Sequence, residues 1–145
     1  ELRDNDWIFH NGYWKAYNRP DKKLLEVLGS RQLGKSVNES SILLHQAQIF
    51  KNSRCLLLGG NKNDIGVITK YINTMHLNMT PFLKVPLLDK DFNKPEVKFG
   101  YKDTSNTDIV YSSLFIRNTD EGKVTEIGAG VTINVAVIDE CGKFE

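Results

Sequence analysis

Gly29-Ser30-Arg31-Gln32-Leu33-Gly34-Lys35-Ser36 fits G-x-x-x-x-G-K-[ST], the pattern of a phosphate-cradling loop set between a strand and a helix. Each residue type has a chemical reason. Gly29 and Gly34 permit backbone angles that a side chain forbids, so that N–H groups along Ser30, Arg31, Gln32 and Leu33 can close around phosphate oxygens. Lys35 supplies a point charge for the β- and γ-phosphates, and the Ser36 hydroxyl is a ligand for Mg²⁺. The flanks fit this role. Residues 23–28, Lys-Leu-Leu-Glu-Val-Leu, can run in as a strand, and residues 36–50 can run out as a helix whose positive dipole end faces the same anion. The plainer alternative is a glycine-rich surface turn with a solvated lysine.

Working outward, Leu43, Ala47 and Phe50 recur at i, i+4, i+7, with Ile42 and Ile49 beside them, which predicts a helix lying on a sheet. Residues 54–60, Arg-Cys-Leu-Leu-Leu-Gly-Gly, form an apolar run stopped by two glycines, and so predict a strand buried on both faces. Residues 61–64 offer a cap, and Ile65, Ile68 and Ile72 predict a second amphipathic helix to about His76. The order β-α-β-α argues for an α/β fold. Beyond residue 78 the pattern loosens around Pro81, Pro86 and Pro95, with strand-like stretches at 96–101 and 109–116.

A second anchor closes the chain. Val131-Thr132-Ile133-Asn134-Val135-Ala136-Val137-Ile138 is followed by Asp139-Glu140, a hydrophobic strand ending in two acids, as in a Walker B motif. Asp139 at the strand's carboxyl end is a candidate Mg²⁺ ligand, and Glu140 a candidate base that polarises the attacking water. An apolar strand that simply meets solvent explains this segment alone. Together with the Gly29–Ser36 loop it points to a nucleotide hydrolase with ATP and Mg²⁺ as cofactors.

The remaining composition narrows the field. A 145-residue chain with 40% hydrophobic and 26% charged residues is an ordinary globular composition with length for a core. No apolar run reaches the length of a membrane helix, and Cys55 and Cys141 form neither a disulfide framework nor a zinc pattern. His10, His45 and His76 show no metal-ligand spacing. A net charge of +1 neither favours nor excludes a nucleic-acid partner. In the first 21 residues Trp7, Phe9, Tyr13, Trp14 and Tyr17 are expected to pack on the sheet, with stacking of Trp14 or Tyr17 on adenine as the alternative.

Residues 30–36, the helix after them and Cys55-Leu56-Leu57-Leu58 resemble the ATPase domain of large terminase subunits, the DNA-packaging motors of tailed bacteriophages and herpesviruses. That family places an arginine inside the phosphate loop, as Arg31 does here. Its Walker B strand is similar to Val135-Ala136-Val137-Ile138-Asp139-Glu140, and its approach to that strand resembles Leu114 to Asn118, a polar turn and Gly128-Ala129-Gly130. The likeness runs roughly from residue 25 to residue 144. No counterpart is found for the upstream glutamine with which many relatives read adenine.

The resemblance implies a P-loop NTPase fold with a central, mainly parallel β-sheet flanked by helices. Residues 1–145 would be the front part of the ATPase domain, without the family's nuclease domain and with activity in isolation in doubt. It implies an ATPase that drives double-stranded DNA into a viral procapsid in the host cytoplasm, with no membrane partner. Partners would be a homo-oligomeric ring, the capsid portal and a small terminase subunit. Within it Glu140, Arg31 and Lys35 carry catalysis, residues 29–36 hold the nucleotide, and Ser36 and Asp139 hold the metal. Two other readings remain: a different P-loop ATPase, such as a helicase or AAA-type motor, and a non-enzymatic β-rich viral structural protein.

Overall fold

The computed structural model describes residues 4–19, 34–89, 92, 94–118 and 132–139. Three helices are present among them: α1 (Asp4–Tyr17), α2 (Lys35–Ile49) and α3 (Lys62–Asn78), with a single 3₁₀ turn at Pro81–Leu83. Four strands, β1 (Arg54–Gly59), β2 (Glu96–Lys102), β3 (Asp108–Asn118) and β4 (Val135–Ile138), form one sheet in the order β2-β3-β1-β4. Among the described residues the architecture is α/β and not β-rich. Residues 23–28, expected to be the strand before the loop, lie outside the described residues.

The elements start where local chemistry starts them. Asn61 caps α3 by accepting hydrogen bonds at Oδ1 from the N–H groups of Asn63 (2.9 Å) and Asp64 (3.0 Å), and Asp64 complements the helix dipole in the first turn. Ile65, Ile68 and Ile72 then fall on one buried stripe, as their spacing requires. In α2 the buried stripe runs through Leu43 and Ala47.

Across the sheet, Val97, Leu114, Cys55 and Val135 stand side by side in register and are all buried. Val97, Leu114 and Cys55, with Leu57 and Phe99, share one core with Leu43, Leu44, Ala47, Ile65, Ile68 and Ile72 of α2 and α3. Fully burying a side chain such as Leu57 stabilises the fold by roughly 1.5–3 kcal/mol. The expectation that β1 is buried on both faces needs correction. Leu56 and Leu58 are only half-buried, because among the described residues α2 and α3 both pack on the opposite face.

The sheet is also mixed rather than mainly parallel. β1 runs parallel to β3 and to β4, but β2 pairs antiparallel with β3. The cause is a tight turn. Asp103 Oδ1 accepts from the N–H groups of Ser105 and Thr107, both at 2.8 Å, and Asn106 takes φ 60°, a left-handed position that asparagine tolerates. Seven residues of β2 therefore fold straight back along β3. A register shift lies between Phe99 and Gly100, where a Cβ on Gly100 would meet the Ile109 carbonyl oxygen at 2.1 Å. Only glycine fits so close to another backbone.

α1 lies along the outside of α2 and not on the sheet. Tyr13 donates to Gln46 Oε1 (3.4 Å), Trp14 meets His45 edge-on at 5.4 Å between centroids, and Tyr17 lies 6.1 Å from Phe50. His45 is ten residues from the start of α2, so Trp14 contacts that helix about 15 Å from its N-terminus.

Candidate functional site

The parallel strands β1, β3 and β4 all finish at one edge of the sheet, the edge where open α/β sheets bind ligands. Asp139 follows β4 there. Its backbone N–H donates to the Leu58 carbonyl at 2.9 Å, which fixes the residue beside the end of β1, and it is 7% exposed.

α2 begins at the same place. Gly34 occupies the N-cap with φ 73° and ψ 20°, in the left-handed region, where a side chain is strained. Lys35 and Ser36 are the first two residues of the helix. Lys35 Nζ forms a short ion pair with Asp139 Oδ1 across 104 positions of sequence and also approaches Glu39 Oε1 at 3.8 Å. The structure therefore joins the last turn of the phosphate motif to the first acid of the strand–acid motif.

Gly29, Ser30, Arg31, Gln32 and Leu33 lie outside the described residues, as does Glu140, so the cradle and the candidate base have no described geometry. Ser36 is half-buried, and its carbonyl accepts from the Ser40 hydroxyl at 2.6 Å. Ser40 also donates to the Ile68 carbonyl at 3.1 Å, tying the start of α2 to α3.

Glu39 is the residue that motif reading missed. It is 5% exposed, and its Oε2 is buried without a hydrogen-bond partner among the described residues. Burial first, then the Asp139 charge, pushes its carboxyl up from 4.5 to about 7, while the Lys35 cation opposes the rise. A sequence signal existed. Glu39 is four residues after Lys35 and four before Leu43, so an acid lies on the apolar stripe of α2 within reach of the motif lysine.

Ser36 and Asp139, the expected metal ligands, offer hard oxygens of the kind Mg²⁺ takes. Among the described residues no group of three or more His, Cys, Asp and Glu side chains is arranged to hold a metal unaided. Among the same residues no helix is long and apolar enough to cross a membrane.

Comparison with known proteins leaves this site to be read from its own chemistry: no family model, no curated protein and no solved structure matches the chain.

Glu39 gives a pH prediction. Its raised carboxyl lets the folded chain hold a proton between pH 4.5 and about 7 that the unfolded chain has lost. The stability this represents is complete below 4.5 and is lost as pH rises through 7. Glu39→Gln removes that loss. Urea unfolding should find the variant more stable than the parent by roughly 2–3 kcal/mol at pH 8, with this advantage gone at pH 4.5. Identical pH dependence in the two proteins would show that the carboxyl at 39 carries no such penalty.

Proposed function

We propose that this chain binds Mg²⁺–ATP at the carboxyl edge of its sheet and hydrolyses it as the ATPase part of a motor that moves double-stranded DNA into a viral procapsid. The observation that carries the nucleotide reading is the Lys35–Asp139 pair at the N-terminus of α2. Two motifs from opposite ends of the sequence each predict a group for one substrate, and those groups touch.

The chain's residues divide the work. The Lys35 ammonium has three donors, and on ATP entry it exchanges its carboxylate partners for β- and γ-phosphate oxygens. Asp139, released from that pair, and Ser36 are the residues that would hold Mg²⁺. The metal supplies charge neutralisation on the phosphates when bound. Residues 29–36 hold the polyphosphate, and Glu140, next to the metal ligand in sequence, accepts the proton of the attacking water. Arg31 stabilises charge on the transferring phosphoryl group.

The DNA-packaging part of the reading rests on the terminase resemblance, as do the ring of subunits, the portal, the small subunit and the host cytoplasm. Hydrolysis by the full-length chain, with and without linear duplex DNA, tests it. The expected result is Mg²⁺-dependent turnover that rises when duplex is added. Turnover indifferent to DNA would remove the motor, and failure to bind ATP with Mg²⁺ present would remove the nucleotide site as well.

A further inference from the structure

The same sheet edge carries a second feature, separated from Asp139 by β1: an open cleft of about 550 Å³ between the start of α3, the end of β3 and the segment before β2. Lys62, Lys94 and Arg117 line it, over a floor that includes Gly66, Phe92 and Ile116, and no carboxylate lines it among the described residues. We propose that this cleft binds the sugar-phosphate backbone of nucleic acid, an assignment that rests on the DNA-motor reading and gives that reading a contact surface.

The chemistry is that of an anion site with an apolar base. Arg117 is held in place: its Nη1 donates to the Pro95 carbonyl at 2.6 Å and to the Ile116 carbonyl at 2.9 Å, and its guanidinium carbon lies 5.9 Å from the centre of the Phe115 ring. A guanidinium so held offers a planar fork of donors whose geometry matches a phosphate. Lys94 pairs with Asp89 at 3.0 Å, both about half exposed. Such an exposed pair is weak, so a phosphate displaces it at little cost. Lys62 is the first residue of α3, where the helix dipole adds to its charge. The apolar floor gives a backbone deoxyribose a surface to lie on. The cleft lies one strand away from Asp139. β1 ends between the cleft and Asp139, and Asp139 is hydrogen-bonded to β1.

Lys62 and Lys94 are exposed, so Lys62→Ala/Lys94→Ala tests the site without disturbing Arg117, which also anchors Pro95. In full-length protein the double variant should weaken duplex binding roughly tenfold at low salt. It should also lower the slope of log K against log salt by about 2, uniformly across DNA sequences, with ATP affinity unchanged. Wild-type affinity and slope in the variant would overturn the cleft assignment while leaving the motor reading intact, since the parent still binds duplex. If the variant loses inorganic tripolyphosphate but not duplex, the cleft is a small-anion site and the assignment fails. A parent protein that binds no duplex removes the motor reading and the cleft together.

Discussion

Lys35→Ala should lose ATP affinity by roughly 10²–10³-fold, the scale of truncating one member of a desolvated, hydrogen-bonded charge pair. The same substitution has a second consequence in the nucleotide-free protein. Asp139, 7% exposed, loses its cation, and Glu39 loses the one charge that opposes the rise of its carboxyl. The variant is therefore expected to be less stable than the parent, and weak binding by a partly unfolded protein proves nothing. Lys35→Ala/Asp139→Asn separates the effects. A neutral amide at 139 has no charge to leave unpaired, so this double variant should recover much of the melting temperature. Calorimetry with ATP alone, without Mg²⁺, should still find the affinity lost, because the phosphates still lack their lysine. Wild-type affinity in the double variant would make Lys35 a purely structural partner of Asp139 and would sink the phosphate-loop assignment.

That pair also shows which parts of the site were legible in sequence. The fold places a helix start and a strand end at one edge whenever strand, loop and helix alternate, so Lys35 and Asp139 could be expected to meet although 104 positions separate them. The helix stripes were equally legible, since Leu43 and Ala47, and Ile65, Ile68 and Ile72, have a spacing that fits little else. Direction in the sheet was not. The pattern of a strand records which face is buried and says nothing of which neighbour it pairs with. The turn residues Asp103 and Asn106 were the available sign of the antiparallel β2–β3 hairpin. The start of β4 was read four residues early. Asn134 instead closes against β1 through its side chain, accepting the Arg54 N–H at 2.8 Å, and the ladder begins at Val135. α1 was missed because its aromatic residues serve a neighbouring helix, in a segment that mixes them with charged and polar groups. Glu39 was missed for a different reason. Motif matching stops at Ser36, whereas a helix returns to the same face one turn later.

Arg31→Ala and Arg31→Lys should both bind ATP normally and lose hydrolysis by roughly 10³–10⁵-fold, the magnitude associated with an arginine that meets the γ-phosphoryl group in the transition state. Arg31 lies three residues before Gly34, and Gly34 stands at the N-cap of α2 beside the Lys35–Asp139 pair. Lysine keeps the charge but not the planar fork, so it cannot span two phosphoryl oxygens at once. The competing account has Arg31 pointing outward to a surface acid, worth about 0–1 kcal/mol and without effect on rate. Single-turnover hydrolysis by the full-length protein with duplex DNA distinguishes the two, because it reads chemistry apart from product release. Nucleotide affinity measured beside it controls for damage to the loop. Charge alone at position 31 is insufficient if the lysine variant binds but stalls. A lysine variant that turns over at the parental rate would show that this arginine is a bystander and that the charge developing on the phosphoryl group is met by Lys35 and Mg²⁺ alone.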